Sequence, residues 1–305
     1  MVLRILGRFA ALTVLLIVAA LPARAAAPLV DVAWVVENLG KPGIVLIDIR
    51  GQKEFERVHV PGSVFTDYGR DGWREKQGAA PGKFPADPRQ LAAVIGALGI
   101  DNDTHVVIMP IGADAGDVGV ATRIFWTFKV LGHDEVSILD GGIIAYAAER
   151  KNGVPVNPLT SGPMEATPKT FKVDLRSEML VTIEDVEAAA AGNGVTLVDA
   201  RTPDEFTGAK RSPGTIHGAR LLPEYTLVEP KTGKFLPLDQ LKAKFDAAGV
   251  ETSGNQIDFC NTGHRASLLW FAANELLGDK GARLYDGSIT EWAGQGKPTE
   301  PGKID

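Results

Sequence analysis

Ile44-Val45-Leu46-Ile47-Asp48-Ile49-Arg50 and Val195-Thr196-Leu197-Val198-Asp199-Ala200-Arg201 are two versions of one segment, an apolar run closing on Asp-x-Arg. Short β-branched runs of this kind read as buried strands. The likeness extends outward. Phe55 and Phe206 each lie seven residues past the aspartate, and each follows a glutamate. His59-Val60-Pro61-Gly62-Ser63 corresponds to Ile216-His217-Gly218-Ala219, Val106-Val107-Ile108-Met109 to Gln256-Ile257-Asp258-Phe259, and Leu139-Asp140-Gly141-Gly142 to Tyr285-Asp286-Gly287-Ser288. The offset stays near 150 residues, far beyond the roughly 20–50 of a solenoid repeat, so a whole domain is duplicated.

Each copy alternates strand-like and amphipathic segments. In the first, Val32 to Leu39 reads as helix, Ile44 to Ile47 as strand and Gln90 to Leu98 as helix. Val106 to Met109 then reads as strand, Val118 to Leu131 as helix and Val136 to Leu139 as strand. Such alternation predicts an α/β fold with a largely parallel sheet flanked by helices. Lys151 to Met179, rich in Pro, Gly, Ser and Thr, reads as a linker packed along the surface. Gly69 to Pro88, with Trp73 and several prolines, reads either as a lid over a cleft or as a plain surface loop.

The first residues carry Arg4 and Arg8, an apolar run from Phe9 to Leu21, and Ala23-Arg24-Ala25. That pattern predicts a secretory signal over residues 1–25, cleaved after Ala25. The apolar run is too short for an anchoring helix. The expected organisation is then a first domain over 28–150, a linker over 151–179 and a second domain over 180–305. The expected location is periplasmic or secreted. The net charge of −6 without a basic run argues against nucleic acid, and no later segment is apolar enough to span a membrane.

With one cysteine in 305 residues the chain cannot staple itself, so ordinary cores must hold it. That cysteine opens Cys260-Asn261-Thr262-Gly263-His264-Arg265, between a strand-like run and the apolar Ala266 to Ala273. A lone cysteine is ordinarily an inert buried one. At a strand–loop–helix junction, however, loop N–H groups and the helix N-terminus favour the thiolate. Gly263 permits the tight turn, Asn261 and Thr262 offer short polar groups, and His264 and Arg265 offer positive charge. Each also has a structural reading: Arg265 turned to a helix-face carboxylate, His264 a loop residue, Thr262 a cap. Asp48, Arg50, Asp199, Arg201, His59 and Asp286 recur in both copies or sit in shared turns, which favours structural roles.

These segments together resemble a tandem-domain rhodanese, the thiosulfate/3-mercaptopyruvate sulfurtransferase family, of a secreted bacterial type. The resemblance rests on the paired Asp-x-Arg strands, His59-Val60-Pro61-Gly62, Leu139-Asp140-Gly141-Gly142, Tyr285-Asp286-Gly287-Ser288 with Glu291-Trp292, and above all the loop from Cys260 to Arg265. It implies two five-stranded domains, with the first catalytically silent, and Pro110 stands where the second copy has Cys260. It implies a Cys260 persulfide that carries sulfur from a small anionic donor to a thiol or cyanide-like acceptor, with a periplasmic thiol reductant as a partner. No cofactor and no metal is implied. For the donor's charge it points to Arg211, with Lys210 beside it. Two departures stand out: Glu205 where several relatives carry arginine, and His217 in place of the usual turn proline. A cysteine phosphatase or arsenate reductase needs Cys-x5-Arg, and here Ala266 occupies that arginine's place. A non-turnover sulfur carrier is the other alternative.

Overall fold

The computed structural model describes residues 26–252 and 254–304; the expected signal segment lies outside them. The first domain runs β1 (Leu29–Val30), α1 (Val32–Asn38), β2 (Ile44–Asp48), α2 (Gln52–Arg57), β3 (Val64–Phe65), β4 (Glu75–Gln77), β5 (Ala80–Lys83), α3 (Pro88–Ala97), β6 (His105–Met109), α4 (Ala115–Val130), β7 (Val136–Leu139) and α5 (Gly142–Tyr146). After a small hairpin, β8 (Arg150–Lys151) and β9 (Val154–Pro155), the second domain runs α6 (Ile183–Ala190), β10 (Thr196–Asp199), α7 (Pro203–Phe206), β11 (Arg220–Leu221), α8 (Leu238–Ala247), β12 (Gln256–Phe259), α9 (Ala266–Trp270), β13 (Arg283–Leu284) and α10 (Ser288–Gly294).

The first sheet has the order β1-β7-β6-β2-β3, parallel throughout, with Ile44 opposite His105 and Asp48 opposite Met109. The second has the order β11-β10-β12-β13, also parallel. Its fifth position is reduced to one parallel bridge between Leu180 and Leu284, where the first domain has two pairs, Leu29 with Ile138 and Val30 with Leu139. The strand there is short because Thr182 already caps the next helix, its side chain accepting from Asp185 N while Asp185 reaches back. Each Asp-x-Arg pair ties a strand end to the loop beyond it. Arg50 Nη2 bonds Asp48 at 2.6 Å and the Val58 carbonyl at 2.7 Å; Arg201 Nη2 bonds Asp199 at 2.7 Å and the Gly214 carbonyl at 2.6 Å. His59 is buried, stacked on Phe55 and bonded to the Phe55 carbonyl.

The segment after β9 follows the first domain's surface. Lys169 N bonds Gly96 O at 2.9 Å and Arg176 N bonds Val130 O at 2.8 Å, while Phe171 packs edge-on against both Phe128 and His133.

Helix α4 joins the two halves. Twelve of its sixteen residues are buried, as expected of a helix with no polar face. It packs on α9 and the turn that continues it: Phe125 meets Phe271 edge-on at 4.9 Å and Trp270 at 6.3 Å. Full burial of such side chains is worth about 1.5–3 kcal/mol each, so the interface is part of the core.

Gly69 to Pro88 contains the antiparallel β4–β5 hairpin, laid across the second domain. Lys83 Nζ pairs with Glu291 at 2.7 Å, and Phe84 N–H donates to the Asp286 carboxylate. The second domain returns the contact: Phe235 N–H donates to Asp140 at 3.0 Å. Asp140 and Asp286 are thus more than turn residues, since each clasps the other domain's crossing segment. The sequence signal for this exchange was Gly82-Lys83-Phe84 repeated as Gly233-Lys234-Phe235.

Candidate active site

Cys260 directly follows β12 and is only 1% exposed. The turn before α10 supports the loop from beneath. Ser288 Oγ accepts from Cys260 N at 3.1 Å and Gly263 N at 2.9 Å, and donates to Tyr285 O at 2.8 Å. Ile289 N and Thr290 N bond the carbonyls of Cys260 and Asn261. Ser288 is central to the loop's shape and itself takes a left-handed conformation, φ 52°. It was visible in the sequence only as part of a shared turn, because its role depends on a hydroxyl reaching a loop 25 residues earlier.

Gly263 has φ 73°, and a Cβ there would lie 2.6 Å from the Asp286 carbonyl oxygen. Both facts demand glycine. The N–H groups of Asn261, Thr262, His264 and Arg265 have no acceptor among the described residues. A curled set of free N–H groups is an anion cradle.

Arg265 turns to a carboxylate. It bonds Glu205 through two nitrogens, at 2.8 and 3.0 Å, and Glu224 lies 3.8 Å away. Asn261 Nδ2 donates to the same Glu205 at 2.7 Å. Glu205 also completes a capping box with Thr202 at the start of α7. Burial works to raise the Glu205 carboxyl, but bonds from Arg265, Thr202 and Asn261 hold it far below the usual carboxylate range. Burial likewise opposes the Arg265 charge, yet Glu205 and the neighbouring Cys260 and Glu224 push it above the ordinary guanidinium value. Burial raises the Glu224 carboxyl in spite of Arg265.

His264 faces the other domain. Its Nε2 lies 3.1 Å from the Gly116 carbonyl, so that nitrogen carries the proton, and its ring meets Tyr68 edge-on at 5.6 Å. Burial, aided by Arg74, Arg123 and Arg265, lowers its affinity for a second proton. Thr262 is partly buried in the loop and no cap bond from it is seen among the described residues.

Lys210 and Arg211 are exposed and both take left-handed backbone, φ 52° and 67°. Lys210 pairs with Asp204 at the surface. Arg211 lines a cleft of about 430 Å³ that Asn261 and Glu205 also line, while Cys260 is absent from its walls. His217 lies at the surface, bonded to Glu300 at 2.8 Å. Two residues absent from the sequence-based set complete the surroundings. Tyr68 stands against His264, and Arg74 stacks on Tyr68 with its guanidinium carbon 4.9 Å from the ring centroid. Among the described residues no group of three or more His, Cys, Asp or Glu is placed to hold a metal.

The model of the rhodanese-like domain matches this chain twice, over residues 31–149 and 182–295. The chain belongs to the rhodanese family. The thiosulfate sulfurtransferase of Bos taurus is 31% identical over 291 residues, covering 88% of this chain and 93% of the relative. A putative thiosulfate sulfurtransferase of Mycobacterium tuberculosis is 28% identical, over 90% of this chain and 98% of the relative. Among solved structures, the 3-mercaptopyruvate sulfotransferase SseA from Escherichia coli superposes with a TM-score of 0.72 at 25% identity, covering 87% of this chain and 100% of that one. The rhodanese fold occurs here in tandem, and its enzyme class is sulfurtransferase.

Proposed function

We propose that this rhodanese moves sulfane sulfur from a small anionic donor, thiosulfate or 3-mercaptopyruvate, to a thiol or cyanide-like acceptor through a persulfide on Cys260. The observation that carries this reading is the set of four loop N–H groups, Asn261, Thr262, His264 and Arg265, left without an acceptor among the described residues around the single thiol. They are placed to stabilise both a thiolate and an anionic persulfide.

With thiosulfate, the Cys260 thiolate attacks the outer sulfur. An S–S bond forms to Cys260, the sulfur–sulfur bond of the donor breaks, and sulfite leaves with the electron pair. The acceptor then attacks the outer persulfide sulfur, and the Cys260 thiolate leaves. With 3-mercaptopyruvate the carbon–sulfur bond breaks instead, and the enolate that departs takes a proton to become pyruvate. Arg265, held by Glu205, maintains the loop's charge balance on the second-domain side. His264 is neutral near pH 7, since its proton affinity lies below the ordinary value, and it lines the path on the first-domain side. Arg211, at the outer cleft, is placed to meet an incoming anion, and Lys210 stays at the surface with Asp204. The signal pattern over residues 1–25 supports a periplasmic or secreted location, where a thiol reductant is the natural acceptor.

The test is an intact-mass measurement after exposure to each donor. The expected result is a gain of one sulfur atom, reversed by cyanide and lost in Cys260→Ser, with steady-state thiocyanate production to separate an enzyme from a sulfur carrier. An unmodified mass from both donors would overturn the reading.

A further inference from the structure

The cations around Cys260 differ in what already occupies them. Arg265 is bonded to Glu205 through two nitrogens. Arg123, buried at the interface, is bonded to Asp286 at 2.6 Å. Lys210 is paired with Asp204, and Arg211 shares its cleft with the Glu205 carboxylate. Arg74 has neither an ion pair nor a hydrogen bond among the described residues, although it is partly buried.

Its position is built. Trp73, the residue before Arg74, is only 1% exposed, and its Nε1 donates to Thr66 Oγ1 at 2.7 Å. The guanidinium lies over Tyr68, and Tyr68 lies against His264 of the cysteine loop. Gly82 leaves room for the Arg74 stem, since a Cβ there would come within 2.8 Å of Arg74 Cδ. The nearby carboxylates are engaged elsewhere: Asp71 with Thr66 and the Asp67 backbone, Asp67 with the Gly69 backbone, Glu75 with Ala86 N. A partly buried guanidinium without a counterion, stacked on an aromatic ring at the edge of a nucleophile's loop, lacks only its anion.

We propose that the anionic end of the sulfur donor is bound from the first domain, by Arg74 stacked on Tyr68, rather than by the arginine inside the cysteine loop. This rests on the sulfurtransferase reading and makes it more specific: the donor enters between the domains with its oxyanion on the hairpin side and its sulfur toward Cys260. The catalytically silent domain thereby supplies the donor's charge partner. Glu205, on the opposite side of the loop, disfavours an anion there.

The experiment uses the full mature chain with thiosulfate and with 3-mercaptopyruvate as probes. In a Cys260→Ser background, calorimetric titration reads binding without turnover. Arg74→Ala is expected to weaken the preferred donor by about tenfold to a hundredfold, the scale of one lost charge-assisted contact, and Arg74→Lys to restore part of it. In the chain with Cys260, the same change is expected in KM, with kcat within about threefold and the thermal midpoint unmoved. Dissociation constants and KM unaltered in both Arg74 variants would overturn the proposal, as would equal losses in Arg74→Ala and Arg74→Lys accompanied by a fall in thermal midpoint, which would mark a structural role. A wild-type chain that forms a persulfide but ignores Arg74 sinks only this proposal. A wild-type chain that forms none from either donor sinks the sulfurtransferase reading itself.

Discussion

The loop after β6, Pro110 to Asp114, and the loop after β12, Cys260 to Arg265, occupy the same place in the two domains and are supported alike. Ile143 N and Ile144 N bond the carbonyls of Pro110 and Ile111, just as Ile289 N and Thr290 N bond those of Cys260 and Asn261. What differs is the content of the cradle. In the first domain the Asp117 carboxylate accepts from Gly112 N at 3.2 Å, Ala113 N at 2.7 Å and Asp114 N at 3.4 Å. The site is plugged by its own helix. In the second domain the opening residues of α9 are Ala266-Ser267-Leu268, which bring no carboxylate, and the N–H groups remain open. The two loops therefore differ by a filled anion site as well as by a missing thiol.

The largest expected effect comes from moving the thiol. Pro110→Cys combined with Cys260→Ser should show no turnover and no added sulfur by intact mass, because Asp117 already holds the N–H groups that would stabilise a thiolate there. A persulfide at position 110 would break the comparison. Next comes Gly263→Ala, which forces left-handed backbone on a residue with a Cβ and drives that carbon into the Asp286 carbonyl. About 2–4 kcal/mol of destabilisation is expected from strain and overpacking, with turnover falling at least tenfold; kinetics and a denaturant melt would check both. Asp117→Ala sharpens the comparison from the other side. It strips the acceptor from the first-domain loop and should cost about 1–3 kcal/mol of stability while leaving thiocyanate production unchanged.

The smallest effect is a pH dependence at β12. Asp258 is fully buried, accepts from Gln256 Nε2 at 2.8 Å on one oxygen, and has no partner for the other among the described residues. Burial raises its carboxyl well above the usual value. The native state then binds this proton more tightly than the unfolded chain, so stability falls as pH rises from the ordinary carboxylate range through the raised value. Asp258→Asn should remove that loss, a gain of roughly 1–2 kcal/mol at about pH 8 and little at about pH 4. Urea unfolding at both pH values measures it; equal gains at the two would refute the assignment to ionisation.

Much of this protein was readable in order along the chain. Duplication, strand–helix alternation, the Asp-x-Arg corners and the cysteine loop are local patterns, and local patterns survive in one dimension because side-chain periodicity and turn chemistry act over a few residues. Arg265 does pair with a helix-face carboxylate, Glu205 of α7, a residue that stands out in the sequence only as a departure from relatives that carry arginine there. Gly69 to Pro88 could not be resolved from the sequence because its apolar and charged residues have their partners in the other domain, as Lys83 does in Glu291.

The sequence by itself determined that two α/β domains would form and where the single thiol would sit, because buried strands and a strand–loop–helix junction are written in adjacent residues. Only the tertiary structure decided which charges stay open around that thiol. Asp117 fills one cradle, Glu205 engages Arg265 and Asn261, and Arg74 reaches Tyr68 beside His264 from the other domain. The physical reason is that an ion's effect depends on its distance and on its competing partners in space, and neither scales with separation along the chain.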